Sequence, residues 1–335
     1  MKNINLKIIG TILIIISLIL IGNTVFAKYT IETTNFLIVE TNLDRTPPKL
    51  NISYSTTQIT NGNVTVKITS NEKIKSLEGW TLSSDGFSIS KIVEYNTNQN
   101  INVYDLAGNK SSINMKIENI DKEKPTIECT SIVNSNTNYP SYANSEKQID
   151  LVIKIKDNIQ IKNVDLSKVK IQVGTTVVTP TITWKQESNT SNQIIYKMTL
   201  TNIQSDGELK VIFEDTCVTD IATNNNQKTE INTKILIDNT KPVITYSQEN
   251  IQQGKIKAIL TANEKVQQLN GWNISSDLTQ LNKEFVSNVS YVLRIFDLAG
   301  NKTSTVVSIT GATYINLVYA SHNSEIRLVL WFWKL

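Results

Sequence analysis

The hexapeptide Asp105-Leu106-Ala107-Gly108-Asn109-Lys110 returns letter for letter as Asp297-Leu298-Ala299-Gly300-Asn301-Lys302. A looser copy, Asp220-Ile221-Ala222-Thr223-Asn224, lies between them. Each copy stands between two runs of strand character: 101–104 and 111–117, 209–213 and 229–237, 291–296 and 303–309. Gly and Asn supply the positive-φ positions of a tight hairpin turn, so the chain has to be built from repeats of a β unit. At the offset that superposes the two hexapeptides, Asn71-Glu72-Lys73 falls on Asn263-Glu264-Lys265 without a gap. Gly79-Trp80 falls on Gly271-Trp272, and Ser83-Ser84-Asp85 on Ser275-Ser276-Asp277. A second marker, Asp-x-x-x-Pro, begins at Asp44, Asp121 and Asp238. The spans these starts delimit bracket the roughly 100 residues of an immunoglobulin-type sandwich.

The expected fold class is therefore all-β: three tandem immunoglobulin-like β-sandwich modules over residues 44–120, 121–237 and 238–311. Composition agrees, because Asn, Ile, Thr, Ser and Lys dominate while the better helix formers Ala and Leu are scarce. Lys+Arg 33 against Asp+Glu 30 leaves a net charge of only +3, with no basic block of the kind that marks a nucleic-acid surface. Nucleic acid is not an expected partner.

Residues 1–27 open with Lys2 and Lys7, run almost without polar side chains through 8–21, and end in Val25-Phe26-Ala27. That is the pattern of a secretory signal with a small-x-Ala cleavage site. The alternative is an uncleaved membrane anchor, since 8–25 approaches the roughly 18 to 20 residues needed to span a bilayer. Either way the rest of the chain is expected outside the cytoplasm, and a membrane is expected as a partner only through this segment. Residues 28–43 read as a lead-in strand or spacer, and 312–335 as an irregular tail.

Within the first module, Val64-Thr65-Val66-Lys67-Ile68 alternates with period two and should turn Val64, Val66 and Ile68 inward. Trp80, and Trp272 of the third module, are the natural large core fillers. Both cysteines, Cys129 and Cys217, fall in the second module. If its ends pack as in a sandwich, both lie toward the same pole and a disulfide between them is geometrically allowed. The alternative is two separate thiols, as the rest of the array carries no cysteine.

With Val103-Tyr104 or Ile295-Phe296 ahead of Asp-Leu-Ala-Gly-Asn, and the three Asp-x-x-x-Pro starts, residues 44–309 resemble the bacterial immunoglobulin-like repeats of surface proteins and adhesins. The resemblance implies a stalk, spacer or binding head of an exported protein, secreted or held at the cell surface, with a glycan or protein ligand. The sequence departs from the pattern at Thr223, where the turn glycine would stand, and it has no Leu-Pro-x-Thr-Gly wall-sorting motif.

Catalysis is not expected. The single histidine, His322, lies in the tail, which leaves no Ser-His-Asp or Cys-His arrangement and no zinc-ligand spacing. The competing reading is an accessory part of a carbohydrate- or cell-wall-processing enzyme. The best site candidate is a set of acids. In a sandwich the start of the first strand, the B-C loop and the F-G loop share one pole. Those places hold Asp44, Glu72 and Asp105, then Asp121, Asp157 and Asp220, then Asp238, Glu264 and Asp297, joined by the amides Asn71, Asn158 and Asn263. No cofactor is required by this reading, but oxygen ligands gathered at a pole suit calcium. The competing role is that each acid caps its own turn.

Overall fold

The structure is a computed structural model that describes residues 44–252 and 254–313, and the backbone of two further strands within 315–332. The chain divides into two compact units, Met1–Thr46 and Pro47–Leu335. In the first, the Thr46 N–H donates to Asp44 Oδ1 at 3.0 Å. The expected signal segment, 1–27, and spacer, 28–43, lie outside the described residues.

The second unit is all-β. Its first stretch contains β1 (Leu50–Tyr54), β2 (Val64–Ser70), β3 (Thr81–Leu82) and β4 (Ser88–Val93), hydrogen-bonded in the order β1-β2-β4-β3. The hairpin β5 (Thr97–Tyr104)–β6 (Lys110–Ile117) completes it. As the alternation requires, Val64, Val66 and Ile68 are fully buried, while Thr65 and Lys67 between them are exposed. They pack with Ile89, Val103, Met115 and Ile117 in one core, each such burial contributing about 1.5–3 kcal/mol.

The middle stretch is larger. It comprises β7 (Thr126–Asn134), β8 (Tyr142–Ala143), β9 (Ile149–Lys156), β10 (Ile161–Val164), β11 (Val169–Val173), β12 (Thr176–Val178), β13 (Thr181–Asn189), β14 (Gln193–Thr201), β15 (Gly207–Phe213), β16 (Val218–Asp220) and β17 (Thr229–Ile237). One sheet runs β13-β14-β9-β7, a second β12-β11-β15-β17-β8, and β10 pairs with β16. The alternating Ile149, Leu151, Ile153 and Ile155 of β9 face Val211 and Phe213 of β15 in a second core.

The last stretch repeats the first, with β18 (Ile244–Gln252), β19 (Lys255–Ala262), β20 (Asn273–Ile274) and β21 (Gln280–Phe285) in the order β18-β19-β21-β20. The hairpin β22 (Val289–Phe296)–β23 (Lys302–Ile309) follows. Trp272 is 4 % exposed in its core and meets Phe285 edge-on at 6.1 Å between centroids. Trp80 is only half-buried, packed against the first core. The difference lies around the ring, because the positions of Phe285 and Tyr291 are Val93 and Gln99 in the first repeat.

One expectation needs correction. The tail is not irregular: β24 (Ile315–His322) and β25 (Glu325–Phe332) form an antiparallel ladder from Ile315↔Phe332 to His322↔Glu325. Both runs are rich in β-branched and aromatic residues, so the signal was present. Of the two alternatives for the cysteines, the structure has the separate thiols. Cys129 and Cys217 are free thiols, Cys129 Sγ donating to Ser131 O at 3.3 Å and Cys217 Sγ to Asp165 O at 3.2 Å. Burial pushes the Cys217 thiol up to about 11, which keeps it protonated and unreactive.

Candidate functional site: acidic poles at the junctions

In each repeat the Asp of the Asp-Leu-Ala-Gly-Asn turn folds the turn around its own carboxylate. Asp105 Oδ1 accepts from the backbone N–H of Gly108 at 2.6 Å and of Asn109 at 2.8 Å, and Oδ2 from Asn109 Nδ2 at 2.7 Å. Asp297 repeats this set with Gly300 and Asn301 at 2.7, 2.9 and 2.7 Å. Asp220 keeps the Asn224 backbone and side-chain donors, both at 2.7 Å. The glycine is needed because the position has positive φ, 99° at Gly108 and 101° at Gly300. Thr223 occupies the same place at φ 73°, where a β-branched residue is strained by about 1–2 kcal/mol. Glycine's larger unfolded-state entropy offsets part of that relief. Thr223→Gly should therefore stabilise the second repeat by about 1 kcal/mol, read as a higher denaturation midpoint at unchanged slope; an unchanged or lower midpoint would show that the turn carries no such strain.

The structure brings the predicted acids together. Asp121, Asp157 and Asp220 each place a carboxylate oxygen within 4.8 Å of the others, and so do Asp238, Glu264 and Asp297. Glu72 and Asp105 meet at the same spacing in the first repeat. Asp44, in the separate first unit, is exposed. Burial is deep for the turn acids: Asp105 is 1 %, Asp220 0 % and Asp297 1 % exposed.

Environment splits their ionisation. Burial works against charge on Asp105, but the hydrogen bonds from Asn109 and Gly108 outweigh it and its carboxyl lies below the usual range. For Asp220 burial wins, aided by the charges of Asp157 and Asp121, and the carboxyl is raised. Asp297 is likewise raised, by burial first and then by Asp238. Glu264 is pushed up to about 7 by burial, with Asp238 and Asp297 adding to it. The second and third poles therefore gather negative charge that the fold only partly satisfies.

The residues that the sequence reading missed are the asparagines ending the turns and a loop that receives one of them. Asn224 Nδ2 also donates to Asp121 O at 3.0 Å, and Asn301 Nδ2 to Asp238 O at 2.8 Å. Each thus ties the start of its repeat to its last turn. Asp121 N–H in turn donates to Thr60 O at 2.9 Å and Lys122 Nζ to Asn63 Oδ1 at 3.0 Å, which joins the first stretch to the second. Between second and third, Asn136 Nδ2 donates to Leu298 O at 2.8 Å, Asn144 Nδ2 to Asn301 Oδ1 at 3.0 Å, and Ser145 N–H to Asn239 Oδ1 at 2.7 Å. Leu298 and Ala299 are consequently 5 % and 1 % exposed, whereas Leu106 in the identical hexapeptide is 63 % exposed.

No family model and no curated protein matches the chain. Among solved structures, the S-layer protein rSbsC(31-844) aligns over 84 % of this chain and 40 % of its own, at 11 % identity and a TM-score of 0.24. The chain thus spans less than half of that structure, and a likeness this distant carries no argument. Among the described residues no helix is long and apolar enough to cross a membrane.

Proposed function

We propose that the chain is an exported bacterial surface or secreted protein whose three immunoglobulin-like modules serve a structural or adhesive role without catalysis. The observation that carries this reading is the pair of hydrogen-bonded junctions. A chain that joins successive cores through Thr60–Asp121 and through the Asn136–Leu298 and Asn144–Asn301 contacts is built to transmit position along its length. Strand order supports the module type. The orders β1-β2-β4-β3, β7-β9-β14-β13 and β18-β19-β21-β20 are the A-B-E-D order of an immunoglobulin sheet. The signal-like start of the sequence supports export.

The ligand class is a glycan or a protein at the cell surface. The test is to present the full chain to glycan and protein arrays and to incubate it with peptidoglycan and common glycans. Saturable retention without turnover fits the reading. Release of products, abolished by changing one carboxylate, would replace it with the cell-wall-processing alternative.

A further inference from the structure

Of the three acidic poles, the one formed by Asp121, Asp157 and Asp220 differs in a way that composition does not show. Asp121 is 2 %, Asp157 8 % and Asp220 0 % exposed. Asp121 Oδ1 accepts from Glu123 N–H at 3.1 Å and Asn158 Nδ2 at 3.0 Å, and Asp157 Oδ1 from Ile159 and Gln160 N–H at 2.9 and 2.8 Å. The second oxygen of each, Asp121 Oδ2 and Asp157 Oδ2, is buried with no hydrogen-bond partner, and these are the two such side-chain atoms among the described residues. Among those residues no ion pair reaches the three acids either. A buried carboxylate oxygen without a donor is expensive, and both belong to carboxylates that lie, with that of Asp220, within 4.8 Å of one another.

We propose that Asp121, Asp157 and Asp220 form a binding site for a hard divalent cation, calcium, at the junction between the first and second repeats. Loop hydrogen bonds hold the Oδ1 atoms and leave the Oδ2 atoms of Asp121 and Asp157 as ligands. Calcium takes 6–8 oxygens at about 2.3–2.6 Å, so ligands on opposite sides of the ion stand up to about 5 Å apart. The 4.8 Å that bounds the separation of the three carboxylate oxygens fits within that span. Magnesium is strictly octahedral and keeps its waters, so a buried pole of carboxylates suits calcium better. Asp121 also connects the repeats, because its N–H is bonded to Thr60 O and its carbonyl to Asn224 Nδ2. An ion held there fixes the junction itself. The pole of Asp238, Glu264 and Asp297 has equal spacing but no orphaned buried oxygen, and it carries no such inference.

The test is calorimetric titration of calcium chloride, and separately of magnesium chloride, into the full chain in chelator-stripped buffer. It is repeated for Asp121→Asn, Asp157→Asn, Glu264→Gln and, as a control at an acid that belongs to none of the three groups, Asp85→Asn. Extracellular modules bind calcium with Kd of about 10⁻⁴ to 10⁻³ M, and that range is expected here, with magnesium weaker. Asp121→Asn and Asp157→Asn should each weaken calcium by at least about tenfold, whereas Asp85→Asn and Glu264→Gln should retain this binding. Each amide removes a repelled charge and still offers Oδ1 to the loop N–H groups, so both variants should melt no lower than wild type in chelator, which shows that they fold. A flat calcium isotherm for the wild type overturns the site. So does calcium binding that survives both substitutions, or that disappears with Glu264→Gln.

Discussion

Asn301→Ala should cost the third repeat about 3 kcal/mol and loosen its junction with the second. The amide donates to Asp238 O at 2.8 Å and to Asp297 Oδ2 at 2.7 Å, and its oxygen accepts from Asn144 Nδ2 at 3.0 Å. Truncation leaves a carboxylate in a residue only 1 % exposed short of a donor, together with an unmatched carbonyl and an unmatched amide. A buried group left unsatisfied costs about 1–3 kcal/mol and a charged one more, though losses within one network do not add. For a unit of this size about 3 kcal/mol lowers the melting temperature by more than about 10 °C. Urea unfolding followed by tryptophan fluorescence measures it. A change below about 0.5 kcal/mol would mean that the asparagine is spectator to both turn and junction.

The second large effect is a pH dependence with the opposite sign to that of an ordinary ion-paired acid. Burial, with Asp238 and Asp297, sets the Glu264 carboxyl at about 7 in the fold against 4.5 for the free group. Below 4.5 the group is protonated folded or unfolded. Between 4.5 and 7 the folded protein binds the extra proton, so stability falls as pH rises through this window and stays low above it. Asp297, raised by burial, contributes with the same sign. Allowing for the solvent that reaches the half-buried Glu264, the swing is about 2 kcal/mol. In chelator, the third repeat should therefore melt higher at pH 5.5 than at pH 8. Glu264→Gln should remove most of that difference by raising the pH 8 value. A variant that melts no higher than wild type at pH 8 would show that Glu264 carries no penalty there.

The turn and its flanking strands were legible because the sequence carries their cause. A carboxylate, a glycine and an asparagine at fixed spacing close the same set of hydrogen bonds around Asp105 and Asp297. Alternation likewise gave the inward face of β2. The grouping of acids at shared poles followed from topology, and most of them meet as expected. What stayed hidden depends on neighbours distant in sequence. Leu106 and Leu298 sit in one and the same hexapeptide, yet only Leu298 is covered, because Asn136 and Asn144 reach across from the second repeat. The run 169–178, which alternates over 169–173, is broken into β11 and β12 by Gly174 at φ 58°. Short pairings such as Leu236↔Tyr142 in β17 and β8 hold too few residues for any period to appear. The Asp220 turn also differs from its relatives: it closes over the bridge Thr219↔Asn225 beside β16 instead of joining two long strands directly.

A rigid junction between the second and third repeats is what a structural array requires, and a distance distribution measures it most directly. Spin labels at Lys185→Cys on exposed β13 and Val292→Cys on exposed β22, in a Cys129→Ser background that leaves the buried Cys217 unlabelled, report the distance between these repeats by double electron–electron resonance. The account predicts a single narrow distribution that broadens in Asn301→Ala. A broad distribution in the unsubstituted junction, unchanged by Asn301→Ala, would contradict it.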